Sequence, residues 1–117
     1  MAKHLEAGIW GEQQAVRYLQ ECGYDIISIN WRHKHLEVDV IAKDGDILVF
    51  VEVKSRNDSR FGEPKEFVDH RKRRNLIRLA DAYISYTKYE GEIRFDIVSV
   101  FLKENKIELI KDAFWSN

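Results

Sequence analysis

The sequence predicts an α/β domain with the element order α-β-β-β-α-β-β. Three observations lead there: two stretches with helical apolar spacing, several short runs rich in β-forming residues, and turn residues between them. Apolar residues from Leu5 to Leu19 recur at helical spacing and Gly23 follows as a stop signal, which predicts a first helix over about residues 6–22.

Three β-rich runs follow, at about residues 25–32, 35–43 and 46–55. Asp44-Gly45 separates the last two runs as a tight-turn signal. Strands joined by such short connections pair with their neighbours in sequence, so these three predict an antiparallel meander.

Polar residues with glycine and proline then predict a loop over about residues 56–64. Helical spacing returns from Phe67 to Tyr86, and two more strand-like runs occupy about residues 92–103 and 106–114. These elements complete the predicted order.

Composition restricts the class of protein. With 117 residues and one proline, the chain has the size of one compact domain, and we expect a single domain over residues 1–117. The net charge of -1 means that any nucleic-acid binding must come from a local basic patch. Cys22 is the only cysteine, which excludes an internal disulfide, and no signal-peptide or membrane-spanning stretch is evident. We therefore expect a cytoplasmic protein that does not enter a membrane.

The Asp44-Gly45 turn also predicts which side chains share a face. With these two residues as the turn, Lys43 pairs with Asp46, and counting outward places Glu37 opposite Glu52. Alternation then gathers five side chains on one face: Glu37, Asp39, Phe50, Glu52 and Lys54. The other face takes the valines and belongs to the core: Val38, Val40, Val49, Val51 and Val53.

The polar face carries more negative charge than it can balance. Glu37 and Glu52 oppose each other with Asp39 on the diagonal, and Lys54 offsets one of the three charges at most. The patch therefore favours a bound cation, and its oxygen ligands suit Mg²⁺ or Mn²⁺, which keep several waters. Glu12 lies within the apolar stripe of the first helix, so it faces inward and either joins this site or has another partner.

Each acidic residue also has a simpler interpretation. Glu52 and Lys54 suit an ordinary exposed strand face with alternating charge. Glu37 suits a charge that discourages sheet-edge aggregation, and Glu12 an acid near a helix start. Asp96 is expected to pair with a nearby arginine in the sheet.

Several segments together resemble the YraN-type family, a little-characterised bacterial group similar to archaeal Holliday-junction resolvases. The segments are Gly11-Glu12, Glu37-Val38-Asp39-Val40-Ile41-Ala42, Val49-Phe50-Val51-Glu52-Val53-Lys54-Ser55-Arg56, Phe61-Gly62, Pro64, Lys72-Arg73-Arg74, Arg94-Phe95-Asp96 and Asp112-Ala113-Phe114. They span nearly the whole chain. The sequence departs from the related PD-(D/E)XK nucleases at Val38, because the motif of that superfamily has a proline at this position.

The resemblance implies a restriction-endonuclease-like core of the PD-(D/E)XK superfamily, with a mixed five-stranded sheet flanked by helices. It implies that Asp39 and Glu52 hold a divalent metal and that Lys54 assists the attacking water. Glu12 matches the helix carboxylate of the resolvase-like branch, and the backbone carbonyl of Val53 also faces the metal. Glu37 enters only through the hairpin count, as an outer metal ligand.

Basic side chains near the second helix are candidates for phosphate contact. Lys72 and Arg73 are placed near the sheet-facing side, within reach of a phosphate. Arg56 and Arg60 lie in the polar loop after Lys54, where they are placed to meet a nucleic-acid backbone near the proposed metal. The remaining ones point outward, where phosphate contact competes with an ordinary solvated helix face: Arg71, Arg74 and Arg78.

These observations predict a Mg²⁺- or Mn²⁺-dependent endonuclease that hydrolyses phosphodiester bonds of DNA, including branched or structured DNA. The alternative is a nucleic-acid-binding module that keeps the fold without efficient catalysis. A third interpretation is an interaction domain whose acidic patch is merely solvated. A symmetric homodimer would suit cleavage of two strands.

Overall fold

The computed structural model describes residues 2–56 and 70–114, with side chains from Trp10 onward in the first segment. Two helices and five strands follow one another as α1 (Ala2–Glu21), β1 (Asp25–His33), β2 (Leu36–Asp44), β3 (Ile47–Arg56), α2 (His70–Thr87), β4 (Ile93–Phe101) and β5 (Lys106–Phe114). This confirms the predicted order. The predicted loop beyond Arg56 and the predicted helix start at Phe67 lie outside the described residues.

The five strands form one mixed sheet in the spatial order β1-β2-β3-β4-β5. Neighbours are antiparallel except β3 and β4, which run parallel. A parallel pair requires a crossover connection, and α2 lies in it. No helix in the described part of the chain has the length and apolarity to cross a bilayer.

Each face of the sheet is covered by one helix. On one face, Ala15 and Leu19 of α1 pack into a buried cluster with valines of the central strands. On the other face, Leu76, Leu79 and Ala80 of α2 pack on a cluster that contains the large aromatic side chains. Helical spacing on α1 and α2 buries an apolar stripe in each case. The predicted sheet flanked by helices is confirmed.

The β2–β3 hairpin turns one residue further along the chain than predicted. Asp44 pairs with Ile47, so the turn consists of Gly45 and Asp46. Gly45 has a φ of 62° and occupies the first turn position, where a type II′ turn takes glycine. The sequence Asp-Gly alone does not distinguish this turn from one centred a residue earlier.

The observed register changes the membership of the acidic cluster. Val40 pairs with Val51, and continuing this register opposes Glu52 with Asp39. The predicted pairing of Glu37 with Glu52 is therefore wrong by two residues. A two-residue shift preserves the face of each side chain, whereas a one-residue shift would reverse it.

The alternation of β2 is interrupted at Asp39. Val38 packs in the α2-side cluster, whereas Val40 packs in the α1-side cluster. Two residues apart in a regular strand share a face, so the prediction that Val38 joins the other valines is wrong. On the neighbouring strand, Asn30 lies at the same level and has a φ of 55°, which marks the same irregularity in β1.

A buried charge network joins β4 to Tyr24, just before β1, and to Asp44, at the end of β2. Arg94 donates to both carboxylate oxygens of Asp96 at 2.8 and 2.9 Å. Asp96 is fully buried and also accepts from the Tyr24 hydroxyl at 2.7 Å and from the Asp112 N–H at 3.0 Å. Arg94 further contacts Asp44 at 2.8 Å. The expected arginine partner of Asp96 is confirmed, and Lys111 Nζ, 3.3 Å from the Asp44 carboxylate, supplies the second positive charge that balances the network.

Replacing Arg94 should destabilise the fold strongly. The Arg94→Met variant leaves the Asp96 carboxylate buried without its cation, and we expect it to lower the free energy of unfolding by about 3 kcal/mol. Urea denaturation followed by circular dichroism measures this value.

The matched control is Arg32→Met, because Arg32 is 74% exposed in its ion pair with Glu37. An exposed pair contributes under about 1 kcal/mol. Equal midpoints for the two variants would contradict the structural role of Arg94.

Candidate metal centre

Asp39 occupies the point where β2 and β3 separate. The last paired residues of the ladder are Val40 and Val51. Beyond them, the Val53 N–H donates to the Asp39 carboxylate at 2.8 Å instead of to a β2 carbonyl. The side chain of Asp39 thus substitutes for a backbone acceptor, which holds its carboxylate at the level of Glu52.

The backbone of Val53 presents a second oxygen to the same place. In an extended strand the N–H and C=O of one residue project to the same side. Because the Val53 N–H points at Asp39, its carbonyl also points toward that edge. The Val53 carbonyl therefore lies on the Asp39 side of β3, and its role as a metal ligand stays a prediction.

Glu52, Lys54 and Lys72 converge on the α2 side of β3. The side chains of Glu52 and Lys54 are only 11% and 19% exposed, so they do not form an ordinary solvated strand face. The Glu52 Oε1 atom accepts a hydrogen bond from Lys72 Nζ at 2.8 Å, and Lys54 Nζ lies 4.0 Å from the same oxygen. A second lysine, from α2, is therefore the direct partner of Glu52.

Asp39 is an acid with a perturbed proton affinity. Burial raises the pKa of Asp39 to about 7, and the negative charge of Glu52 adds to the rise. The hydrogen bond from Val53 acts in the opposite direction, as does the charge of Lys72. A carboxyl group with a pKa of about 7 is only about half ionised at pH 7, and an approaching cation favours its charged form.

Lys54 is shifted in the complementary direction. Burial lowers the pKa of the Lys54 ammonium to about 8, and the hydrogen bond and positive charge of Lys72 lower it further. The charge of Glu52 only partly opposes these effects. Lys54 can therefore release its proton near neutral pH and act as a proton acceptor.

Glu12 approaches the site from α1. It is half-buried, and its negative charge contributes to the raised pKa of Asp39. Gly11 permits this approach, because a Cβ atom there would lie 2.1 Å from Ser55 Oγ on β3. The expected inward orientation of Glu12 agrees with the structure, and Glu12 lies far from the first turn of α1.

Glu37 lies away from these groups. It is exposed, pairs in register with Arg32 of β1 and forms an ion pair with that arginine. The structure therefore does not bring Glu37 to the Asp39–Glu52 cluster, and the hairpin count that suggested it as an outer ligand used the wrong register.

The other basic candidates differ in where the structure places them. Arg73 is half-buried with its guanidinium 5.6 Å from the centre of the Phe114 ring, so it packs against the sheet. Arg56 lies at the end of β3, where its positive charge contributes to the lowered pKa of Lys54. Arg60 lies outside the described residues. The outward-facing basic residues of α2 are exposed, as predicted: Arg71, Arg74 and Arg78.

The donor set fits a metal that needs few protein ligands. Among the described side chains, those of residues 10–56 and 70–114, no three from His, Cys, Asp or Glu come together as metal ligands. Asp39 and Glu52 supply two carboxylates, and their mutual repulsion would be relieved by a divalent cation. Mg²⁺ is commonly held by one or two carboxylates and several waters. The pair therefore suits Mg²⁺ or Mn²⁺ better than zinc.

Sequence reasoning placed Lys72 near the sheet but missed its contact with Glu52. The signal was available only in part, since helical spacing turns Lys72 inward. The distance between Lys72 Nζ and Glu52 Oε1 depends on where the crossover sets α2 on the sheet.

Comparison with known proteins assigns a family. The family model described as "Uncharacterised protein family UPF0102" matches residues 11–100, which contain every residue of the cluster. A UPF0102 protein of Flavobacterium psychrophilum is 42% identical, over 98% of both chains. One of Bacteroides thetaiotaomicron is 44% identical, over 98% of this chain and 97% of its own. One of Rhodococcus opacus is 42% identical, over 97% of this chain and 100% of its own. The YraN-type family is thereby confirmed, and the names of these relatives state no activity.

Replacing Asp39 should stabilise the metal-free protein in a pH-dependent way. The pKa of Asp39 rises from 3.8 to about 7 on folding, so the stability it contributes is present below about pH 4 and is lost as the pH rises through 7. Asn keeps an acceptor for the Val53 N–H without the charge. We expect Asp39→Asn to match wild type near pH 4 and to exceed its free energy of unfolding by about 1–3 kcal/mol at pH 8.

Urea titrations in EDTA at several pH values measure the difference. Stability curves that run parallel from pH 4 to pH 8 would show that Asp39 carries no such shift.

Proposed function

The chain belongs to the uncharacterised protein family UPF0102, and we propose that it is a Mg²⁺- or Mn²⁺-dependent endonuclease that hydrolyses phosphodiester bonds of DNA. The observation that carries the proposal is the pair of adjacent, largely buried carboxylates, Asp39 and Glu52, with Lys54 on the same strand as Glu52. This combination matches the PD-(D/E)XK pattern that the sequence resembles.

Asp39 and Glu52 would hold the cation, with the Val53 carbonyl on the same side of β3. When bound, Mg²⁺ or Mn²⁺ supplies Lewis-acid polarisation of a phosphodiester and a more acidic water. The Val53 N–H keeps Asp39 oriented, so the carboxylate needs no rearrangement on loading. Glu12 adds negative charge that strengthens the attraction for the cation.

Lys54 is the residue that handles the proton. Its lowered pKa, about 8, leaves a fraction of neutral amine at neutral pH, which can take a proton from the attacking water. In its charged form, the same side chain stabilises negative charge that develops on the phosphate. Its position two residues after Glu52 places both side chains on one face of β3.

The exposed arginines of α2 supply the binding surface for the nucleic-acid backbone. Arg71 and Arg74 lie within two residues of Lys72 and are exposed, so phosphates near the site would meet positive charge. These contacts read no bases, which suits recognition of DNA shape, including branched DNA. We expect the protein to form a homodimer, in which two such sites would cleave two DNA strands. We expect it to act in the cytoplasm.

Activity assays with matched variants test the proposal. We expect purified wild type to cleave a DNA panel of duplex, flap and four-way junction only with Mg²⁺ or Mn²⁺. Glu52→Gln should lose metal-dependent cleavage, and Lys54→Met should slow it by at least about 100-fold. Glu90→Gln, at an exposed position between α2 and β4, is the control and should cleave like wild type.

The outcomes separate two functions. Equal cleavage by wild type and the Asp39→Ala, Glu52→Ala double variant would exclude this site. DNA binding without cleavage under any metal would favour the alternative, a nucleic-acid-binding module on the same fold.

A further inference from the structure

The ammonium group of Lys72 occupies the side of the Glu52 carboxylate at which a metal ion would bind. Its Nζ atom lies 2.8 Å from Glu52 Oε1, whereas Lys54, on the same strand as Glu52, lies 4.0 Å from that oxygen. The Glu52 side chain is only 11% exposed. A hydrogen-bonded ammonium at a shielded carboxylate is a strong contact.

The influence of Lys72 extends over the whole cluster. Its positive charge offsets part of the rise that burial causes in the pKa of Asp39, and it adds to the lowering that burial causes in the pKa of Lys54. For Lys72 itself, burial is the largest single effect and favours the neutral form, but its hydrogen bonds to Glu52 and Lys54 and the negative charges of Glu52 and Asp39 together raise its pKa. The 2.8 Å ion pair with Glu52 therefore places the Lys72 ammonium at the solvent side of the acidic pair.

An ammonium and a divalent cation compete for such a position. Both need the lone pairs of Glu52, and a cation of charge +2 beside the ammonium would repel it. Lys72 can yield, because its side chain is 46% exposed and carries a flexible four-carbon stem toward solvent.

We propose that Lys72 is a built-in counter-ion of Glu52 that divalent metal must displace for the site to load. This inference rests on the proposed function, since it assumes that Asp39 and Glu52 hold the metal. It makes Lys72 a positioning residue that sets metal affinity. In the absence of metal, the ammonium keeps Glu52 paired and the cluster intact. Once displaced, it joins the basic surface of α2.

Calorimetric titration of Mn²⁺ into metal-free protein tests the proposal without measuring activity. We expect Lys72→Met to bind Mn²⁺ about tenfold more tightly than wild type, because the metal no longer displaces a charged hydrogen bond. Lys72→Arg keeps the charge and should stay within about threefold of wild type. Lys103→Met removes an exposed charge between β4 and β5 and controls for the change in net charge.

A second measurement establishes that the variants fold. Urea unfolding in EDTA should show Lys72→Met folded but less stable than wild type, since Glu52 loses its partner. Lys72→Gln replaces it in the titration if Lys72→Met does not fold.

Each result decides between the two proposals. Wild type that binds Mn²⁺ with the same affinity as Lys72→Met would overturn the counter-ion role and leave the nuclease proposal standing. Weaker binding by Lys72→Met would also overturn it, because Lys72 would then assist loading. Binding by Lys72→Met alone would support it strongly. Absence of binding in every variant would overturn both proposals.

Discussion

The hydrogen bond from the Val53 N–H to the Asp39 carboxylate is the constraint on which the site depends. A buried N–H requires an acceptor, and beyond the Val40–Val51 pair β2 no longer supplies a backbone one. The carboxylate of Asp39 fills that role, so β2 can diverge without leaving an unsatisfied group. The interruption of alternation at Asp39 and the positive φ of Asn30 follow the same departure from a regular sheet. One side chain therefore ends the ladder and creates a buried acid beside Glu52.

The sheet contains two charge clusters that differ in how well they are balanced. Around Asp96, the arginine, the tyrosine hydroxyl and a backbone N–H satisfy the carboxylate, as expected of a group that only stabilises the fold. Around Asp39, burial and a neighbouring carboxylate raise the pKa instead. Stability alone does not favour such an arrangement, and perturbed acids of this kind concentrate at functional sites. The contrast within one sheet is a reason to assign chemistry to Asp39 and a structural role to Asp96.

Sequence patterns predicted the elements well because each carries a local signal, apolar periodicity for α1 and α2 and turn residues between strands. The register of the β2–β3 hairpin was beyond that information, since Gly45 occupies the first or the second turn position according to the turn type. The irregularity at Asp39 was equally hidden, because strict alternation was assumed along β2. Both errors misplaced Glu37, and the second also misplaced Val38. Asp39, Glu52 and Lys54 were identified correctly as neighbours, since a two-residue register error leaves every face unchanged.

Lys72 was the residue least accessible to sequence reasoning, and the topology explains both its position and its consequence. Because α2 connects the parallel strands β3 and β4, the chain that leaves the end of β3 enters α2, and the first described turns of the helix lie over the site. Lys72 then takes the close contact with Glu52 that Lys54 would otherwise make. If Lys54 were the direct partner of Glu52, that carboxylate would hold the proton on Lys54 and raise its pKa. With Lys72 in that place, burial lowers the pKa of Lys54, and the hydrogen bond and positive charge of Lys72 lower it further. Two lysines thus separate two tasks: one balances the acid, and the other is left able to give up a proton.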